Sequence, residues 1–138
     1  RADAIPTDDS VHWTAQSPYD ATFPRCAAII HHGGIGTTAA ALRSGHPSLI
    51  IPFAHDQYDN AYRVRALGAG IVRWKWGLSA KRIAVALTQM LNAAPVARAE
   101  TIAAAVRRES DGAQRAAESI LSIIGAEPFF RLLNSTAR

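Results

Sequence analysis

The chain holds 138 residues, 49% of them apolar and 19% charged, with 15 basic against 11 acidic side chains and a net charge of +4. That length suits one domain with a core of its own, and the share of apolar residues excludes a disordered chain. The longest apolar runs, such as Cys26 to Ile30 and Leu49 to Phe53, are too short to span a bilayer, and the arginines are scattered without aromatic interleaving, which does not indicate a nucleic-acid partner.

In chain order, a polar entry (Arg1 to Ser10) leads to VHWTA, whose alternation and aromatic content read as a short strand broken by QSP. CAAIIH reads as a second strand, apolar on both faces as in a sheet covered on two sides. TTAAALRS, Thr37 to Ser44, is helix material stopped by Gly45-His46-Pro47. SLIIPF is another two-faced strand, ended by Pro52. Gln57 to Leu67 reads as a helix with Asp56 as N-cap and Gly68 as its stop, and GIVRW follows as a fourth strand.

Ser79 caps the next helix, in which Ile83, Leu87, Met90 and Leu91 form one apolar stripe. Two alanine-rich helices follow, one opened by Pro95 and one running to about Ile124, before the tail EPFFRLLNSTAR. Strands alternating with short helices predict an α/β fold with a Rossmann-like parallel sheet flanked by helices. Its exposed edges would allow pairing with another chain as a dimer. The lone Cys26 has no cysteine to pair with; we expect it to pack as a buried hydrophobe in a reducing, cytoplasmic setting. Because the chain opens on Arg1 without Met or a signal sequence, we expect further sequence upstream.

The stretch IIHHGGIGTT carries the chemistry. A strand ending at His31, a turn of Gly33, Gly34 and Gly36, and a helix beginning near Thr37 leave the first amides of that helix free at the carboxyl end of the sheet. That is an anion site, and glycine lets the backbone approach a phosphate without a Cβ in the way. No Gly-Lys-Ser/Thr follows, so the turn is not a P-loop. Gly34-x-Gly36-x-x-Ala39 is also a variant of the dinucleotide fingerprint, although its acidic residue should end the next strand and Asp56 stands beyond Pro52. Dinucleotide binding and a tight turn without ligand remain the lesser readings. His31-His32 does not read as a metal site, since neighbours on a strand point to opposite faces and no cysteine or carboxylate is near.

The run FPRCAAIIHHGGIGTTAAALRSGHPSLIIPFAHDQYDNAYRVRALGAGI contains His-Gly-Gly-x-Gly-Thr, Gly-x-Pro, Pro-x-x-x-Asp-Gln and Asn-Ala. From Pro18 to Ile71 it resembles the donor-binding signature of the nucleotide-diphospho-sugar glycosyltransferases of the GT-B fold. It looks closest to bacterial members of the sterol-glucosyl and rhamnosyl type. The resemblance implies that residues 1–138 are the donor-binding domain, N-terminally truncated, of a two-lobed enzyme, with 126–138 a tail able to cross to the other lobe. It implies inverting transfer of a hexose from a UDP- or dTDP-sugar to a lipid, sterol or natural-product hydroxyl, with neither metal nor other cofactor.

By the same resemblance His32 contacts the diphosphate, and Gly34, Gly36 and Thr37 supply backbone and hydroxyl donors to it. Asp56 and Gln57 hydrogen-bond the hydroxyls of the sugar, and Pro18 and Tyr19 border the nucleobase. The implied partners are the nucleotide sugar, the N-terminal acceptor-binding lobe, and a lipid acceptor or membrane surface. The family places its catalytic base in that other lobe, so no residue here is assigned as the base. The aromatic residue that plant members stack on uracil falls at Gln16, and the glutamate used on the ribose falls at Ala40, which leaves UDP and dTDP equally open. A module that binds or senses a nucleotide sugar without transferring it is the alternative.

Among the remaining residues, Trp74 and Trp76 at the end of the last strand are expected in the core or at a lobe interface. His55 beside Asp56 reads as a surface histidine, with contact to phosphate or acceptor the sharper alternative.

Overall fold

A computed structural model describes residues 9–12, 14–109 and 112–123. Three strands form one parallel sheet in the order β1 (Ile29–His31), β2 (Ser48–Ile50) and β3 (Gly70–Val72). The register sets Ile29, Ile30 and His31 against Ser48, Leu49 and Ile50, which in turn face Gly70, Ile71 and Val72. Parallel neighbours require crossovers, and α2 (Ile35–Ser44) and α3 (Gln57–Ala66) supply them. Preceding the sheet is one helical turn, α1 (Tyr19–Thr22), with a 3-10 turn over Phe23–Arg25; after it come α4 (Ala80–Met90), α5 (Ala93–Arg108) and α6 (Gly112–Ile123).

Why β2 sits at the centre follows from its sequence. Successive strand residues point to opposite faces, so an apolar run without alternation must be covered twice. Ile50 packs with Ala61 and Val64 of α3, Ala69 and Ile102 of α5 on one face, while Leu49 and Ile51 pack with Ala86 and Met90 of α4 on the other. Burying a side chain such as Leu49 or Ile50 contributes about 1.5–3 kcal/mol. β1, by contrast, has an outer edge unpaired among the described residues, and its Ile30, on the face covered by α4 farther along, is half exposed.

The structure corrects several expectations. Val11, His12, Thr14 and Ala15 are exposed and irregular, with no strand beside them among the described residues, and Trp13 lies outside those residues. Alternation alone does not make a strand without a partner for its amides. The second strand begins at Ile29, because the Phe-Pro-Arg segment winds into a 3-10 turn that Cys26 ends. Cys26 is therefore half-buried in that turn, its thiol donating to Thr22 O at 3.4 Å, and is not packed in a strand.

Helix α2 starts two residues before Thr37, at Ile35 with Gly34 as N-cap, and α5 starts at Ala93 with Pro95 in its first turn. Asp56 occupies the N-cap position of α3, yet its side chain makes no cap bond. Ser79 does cap α4, accepting from Arg82 N at 3.3 Å. Leu91 lies beyond the end of α4 and is half exposed, so the buried stripe stops at Met90. The tail 126–138 is outside the described residues, and no described helix is long and apolar enough to cross a membrane.

Candidate functional site

The carboxyl ends of β1 and β2 deliver two loops to the same rim of the sheet. The first is His32–Gly34. Gly33 adopts φ +93°, and a Cβ there would meet Gln57 O and Ile50 Cγ2 at 3.0 Å, so only glycine lets α2 start this close to β2 and α3. At Gly34 a Cβ would meet His32 Nε2 at 2.6 Å, so the exposed imidazole of His32 stands directly over that residue. Nothing lies within 4 Å of the corresponding position at Gly36. The bend is closed beneath Gly33, covered by the His32 ring at Gly34 and open at Gly36.

No side chain caps the N-terminus of α2. Its first-turn amides, which in any helix lack internal acceptors, face this open rim together with His32. Aligned peptide dipoles add partial positive charge there, so the arrangement suits an anion. Thr37 is half-buried in the same turn, whereas Thr38 is 95% buried and its Oγ1 has no hydrogen-bond partner among the described residues.

His31, the last residue of β1, shapes the bend. Its Nδ1 accepts from Gly33 N at 3.1 Å, which places the ring proton on Nε2, itself buried without a partner among the described residues. Burial, and secondarily the neighbouring His32, lower its pKa from the ordinary 6.5 to about 4. The ring is therefore neutral near pH 7 and keeps the lone pair that holds Gly33.

The second loop runs from Ile51 to Asp56. His55 has a left-handed backbone, φ 55°, a conformation unusual outside glycine that turns the chain into α3. Gln57 turns its Oε1 inward, accepting from Phe53 N at 2.8 Å and Ala54 N at 3.1 Å. Only its amide NH₂ is then available to a ligand, so the side chain is a donor here rather than a group that both accepts and donates. Asp56 is exposed and its Oδ2 accepts from Asn60 Nδ2 at 2.9 Å; the same Nδ2 donates to Gly33 O at 2.9 Å. His32, Gly34, Gly36, Asp56 and Gln57 thus gather on one rim, linked through Gly33 and Asn60.

Pro18 and Tyr19 sit elsewhere along α2. The Tyr19 ring stacks on Phe23 at 4.5 Å and lines a depression of about 400 Å³ with Ala40, Arg43, Ser44 and Arg107. Ala40 lies five residues into α2, about 7.5 Å from its start at 1.5 Å per residue. An elongated ligand held at the helix N-terminus would lie along α2 to reach Tyr19.

Trp74 and Trp76 are not in the core: they are 52% and 71% exposed. They border a depression of about 580 Å³ with Arg73, Leu78, Arg82 and Val85. Trp74 stacks against Tyr58, whose hydroxyl donates to Phe53 O, so this aromatic ledge abuts the second loop.

A parallel sheet flanked by helices, whose carboxyl rim carries an uncapped helix start, is the architecture of one lobe of a GT-B glycosyltransferase. Solved structures bear out the class: the glycosyltransferase VinC in complex with dTDP is 34% identical with a TM-score of 0.68, over 73% of this chain and 26% of that one. The glycosyltransferase of kitacinnamycin gives 27% identity and a TM-score of 0.69, over 76% of this chain and 27% of that one. More narrowly, residues 2–124 match the Erythromycin biosynthesis protein CIII-like, C-terminal domain, and the chain belongs to that family.

Curated relatives include the glycosyltransferase GtfE of Amycolatopsis orientalis, 36% identical over 124 residues, which is 89% of this chain and 30% of that protein. The sterol 3-beta-glucosyltransferase of Eremothecium gossypii is 42% identical over 106 residues, 76% of this chain and 8% of that protein. The chain therefore spans under a third of the length of these relatives.

Proposed function

We propose that this chain binds the donor of a metal-independent, inverting glycosyltransferase that moves a hexose from a nucleoside diphosphate to an acceptor hydroxyl. One observation carries the reading: the open, uncapped start of α2 under His32 shares its rim with Asp56 and the free amide of Gln57. In the reaction the acceptor oxygen bonds to the anomeric carbon as the bond from that carbon to the diphosphate oxygen breaks. The diphosphate leaves with growing negative charge, and the acceptor proton passes to a base for which this chain offers no assigned residue. Amides and an imidazole fixed before the charge develops stabilise the transition state more than the ground state.

In this reading Asp56 accepts from sugar hydroxyls, Gln57 donates to one, and the nucleoside lies along α2 past Ala40 toward Tyr19 and Pro18. The structural likeness to a transferase solved with dTDP makes dTDP the first nucleotide to try. The test is titration calorimetry of UDP, dTDP and their glucose and rhamnose conjugates against the wild type and His32→Ala, with turnover of the intact enzyme beside it. We expect His32→Ala to lower kcat by about 10²–10³ while circular dichroism stays unchanged. An unchanged rate removes His32 from the reaction, and absence of any nucleotide binding by the wild type rejects the reading.

A further inference from the structure

Asn60 stands one helical turn into α3 and touches both halves of the rim. Its side-chain Nδ2 carries two hydrogens and reaches two acceptors, Gly33 O and Asp56 Oδ2, each at 2.9 Å. Both partners are pure acceptors, so the amide can be oriented in only one way. Gly33 is pinned on its other side by the bond from its N–H to His31 Nδ1. The peptide groups that set the curve of the phosphate-side bend are thus held by one side chain from β1 and one from α3.

The effect on Asp56 is as direct. Aspartate at a helix N-cap ordinarily turns its carboxylate back onto the helix's own second or third amide. Asp56 does not take that arrangement: its backbone is helical, φ −63° and ψ −15°, its O accepts from Asn60 N at 3.0 Å, and its carboxylate makes no cap bond but accepts from Asn60 Nδ2. One carboxylate oxygen is committed to Asn60, which fixes the direction in which the other faces.

We propose that Asn60 is a positioning residue that sets the register between the diphosphate-holding bend and the sugar-reading carboxylate; this rests on the reading of the rim as a donor site. It follows that a ligand spanning both halves depends on Asn60 more than a ligand occupying the bend alone. A residue that merely supported α3 would weaken both alike.

The experiment is titration calorimetry on the intact protein with two probes, dTDP and dTDP-glucose, for the wild type, Asn60→Ala, Asn60→Asp, Asp56→Ala and the double variant Asp56→Ala/Asn60→Ala. We expect Asn60→Ala to weaken dTDP-glucose about tenfold and dTDP less than about threefold, and to be non-additive with Asp56→Ala. Asn60→Asp keeps the side chain's shape but sets an acceptor against two acceptors, so it should weaken dTDP-glucose at least as much as Asn60→Ala. Equal losses for both probes, additivity with Asp56→Ala, or wild-type affinity in either Asn60 variant overturns the proposal. A wild type that binds neither probe overturns the donor-site reading and the role of Asn60 with it, a result distinct from a wild type that binds and a variant that matches it.

Discussion

At the residue scale, the bend depends on a histidine that must stay uncharged. His31 offers a lone pair to Gly33 only while its Nδ1 is unprotonated, and burial depresses its pKa to about 4 against 6.5 for an exposed ring. The unfolded chain therefore takes up a proton on this side chain before the folded one does. Stability from this group is complete above about pH 6.5, declines as the pH falls toward 4, and levels off below that. The loss is on the order of 2 kcal/mol after allowance for the ring's partial exposure. Denaturant titrations between pH 7 and 4 should show this slope, and His31→Asn, which keeps an acceptor near the same place without the titration, should flatten it. A wild-type profile without any decline would mean that the ring reaches solvent freely.

Residues also mark where reading the sequence stopped. The glycine turn reads as an anion site from its own residues, because glycines before a helix leave its first amides free, whereas the roles of His32 and the Asp56-Gln57 pair enter only through the family resemblance. Asn60 was visible only as part of an Asn-Ala pair, since its partner Gly33 lies 27 positions away and nothing local announces the bond. A glutamine side chain can both donate and accept; only the fold shows the oxygen of Gln57 consumed by Phe53 N and Ala54 N.

At the scale of elements, α2, α3 and α4 and the central strand could be read from periodicity and stop signals, because each either buries an apolar face or ends at a glycine or proline. The strand expected around Val11, His12, Thr14 and Ala15 and the overlong one from Cys26 show the converse: strand residues acquire their state from neighbours, which local pattern does not reveal. α2 itself holds a local conflict, for Thr38 buries a hydroxyl whose oxygen finds no partner among the described residues. A buried unsatisfied hydroxyl costs about 1–3 kcal/mol, whereas an apolar group of the same shape costs nothing of that kind. Thr38→Val should therefore raise the midpoint of thermal unfolding by a few degrees, about 4 °C per kcal/mol for a chain of 138 residues. A lower midpoint would show that the hydroxyl is bonded after all.

At the scale of the whole molecule, the proposed reading leaves one side of the chemistry unassigned. In that reading the rim supplies groups for a diphosphate and a sugar from the loops and helix starts that follow β1 and β2, yet the depression along α2 lies open and Asp56 and His32 are exposed. Affinity in such sites comes from enclosure as much as from contacts, because a half-covered ligand keeps its competition with water. A polypeptide of these 138 residues should then bind dTDP with a Kd on the order of 10⁻⁴ to 10⁻³ M. It should hydrolyse or transfer no sugar, having no assigned base. Calorimetry gives the first number and a product assay with dTDP-glucose the second. Submicromolar affinity or measurable turnover would mean that these residues close the cleft by themselves and hold the base within it, and the search for it would begin at His55 and the Trp74 ledge beside the second loop.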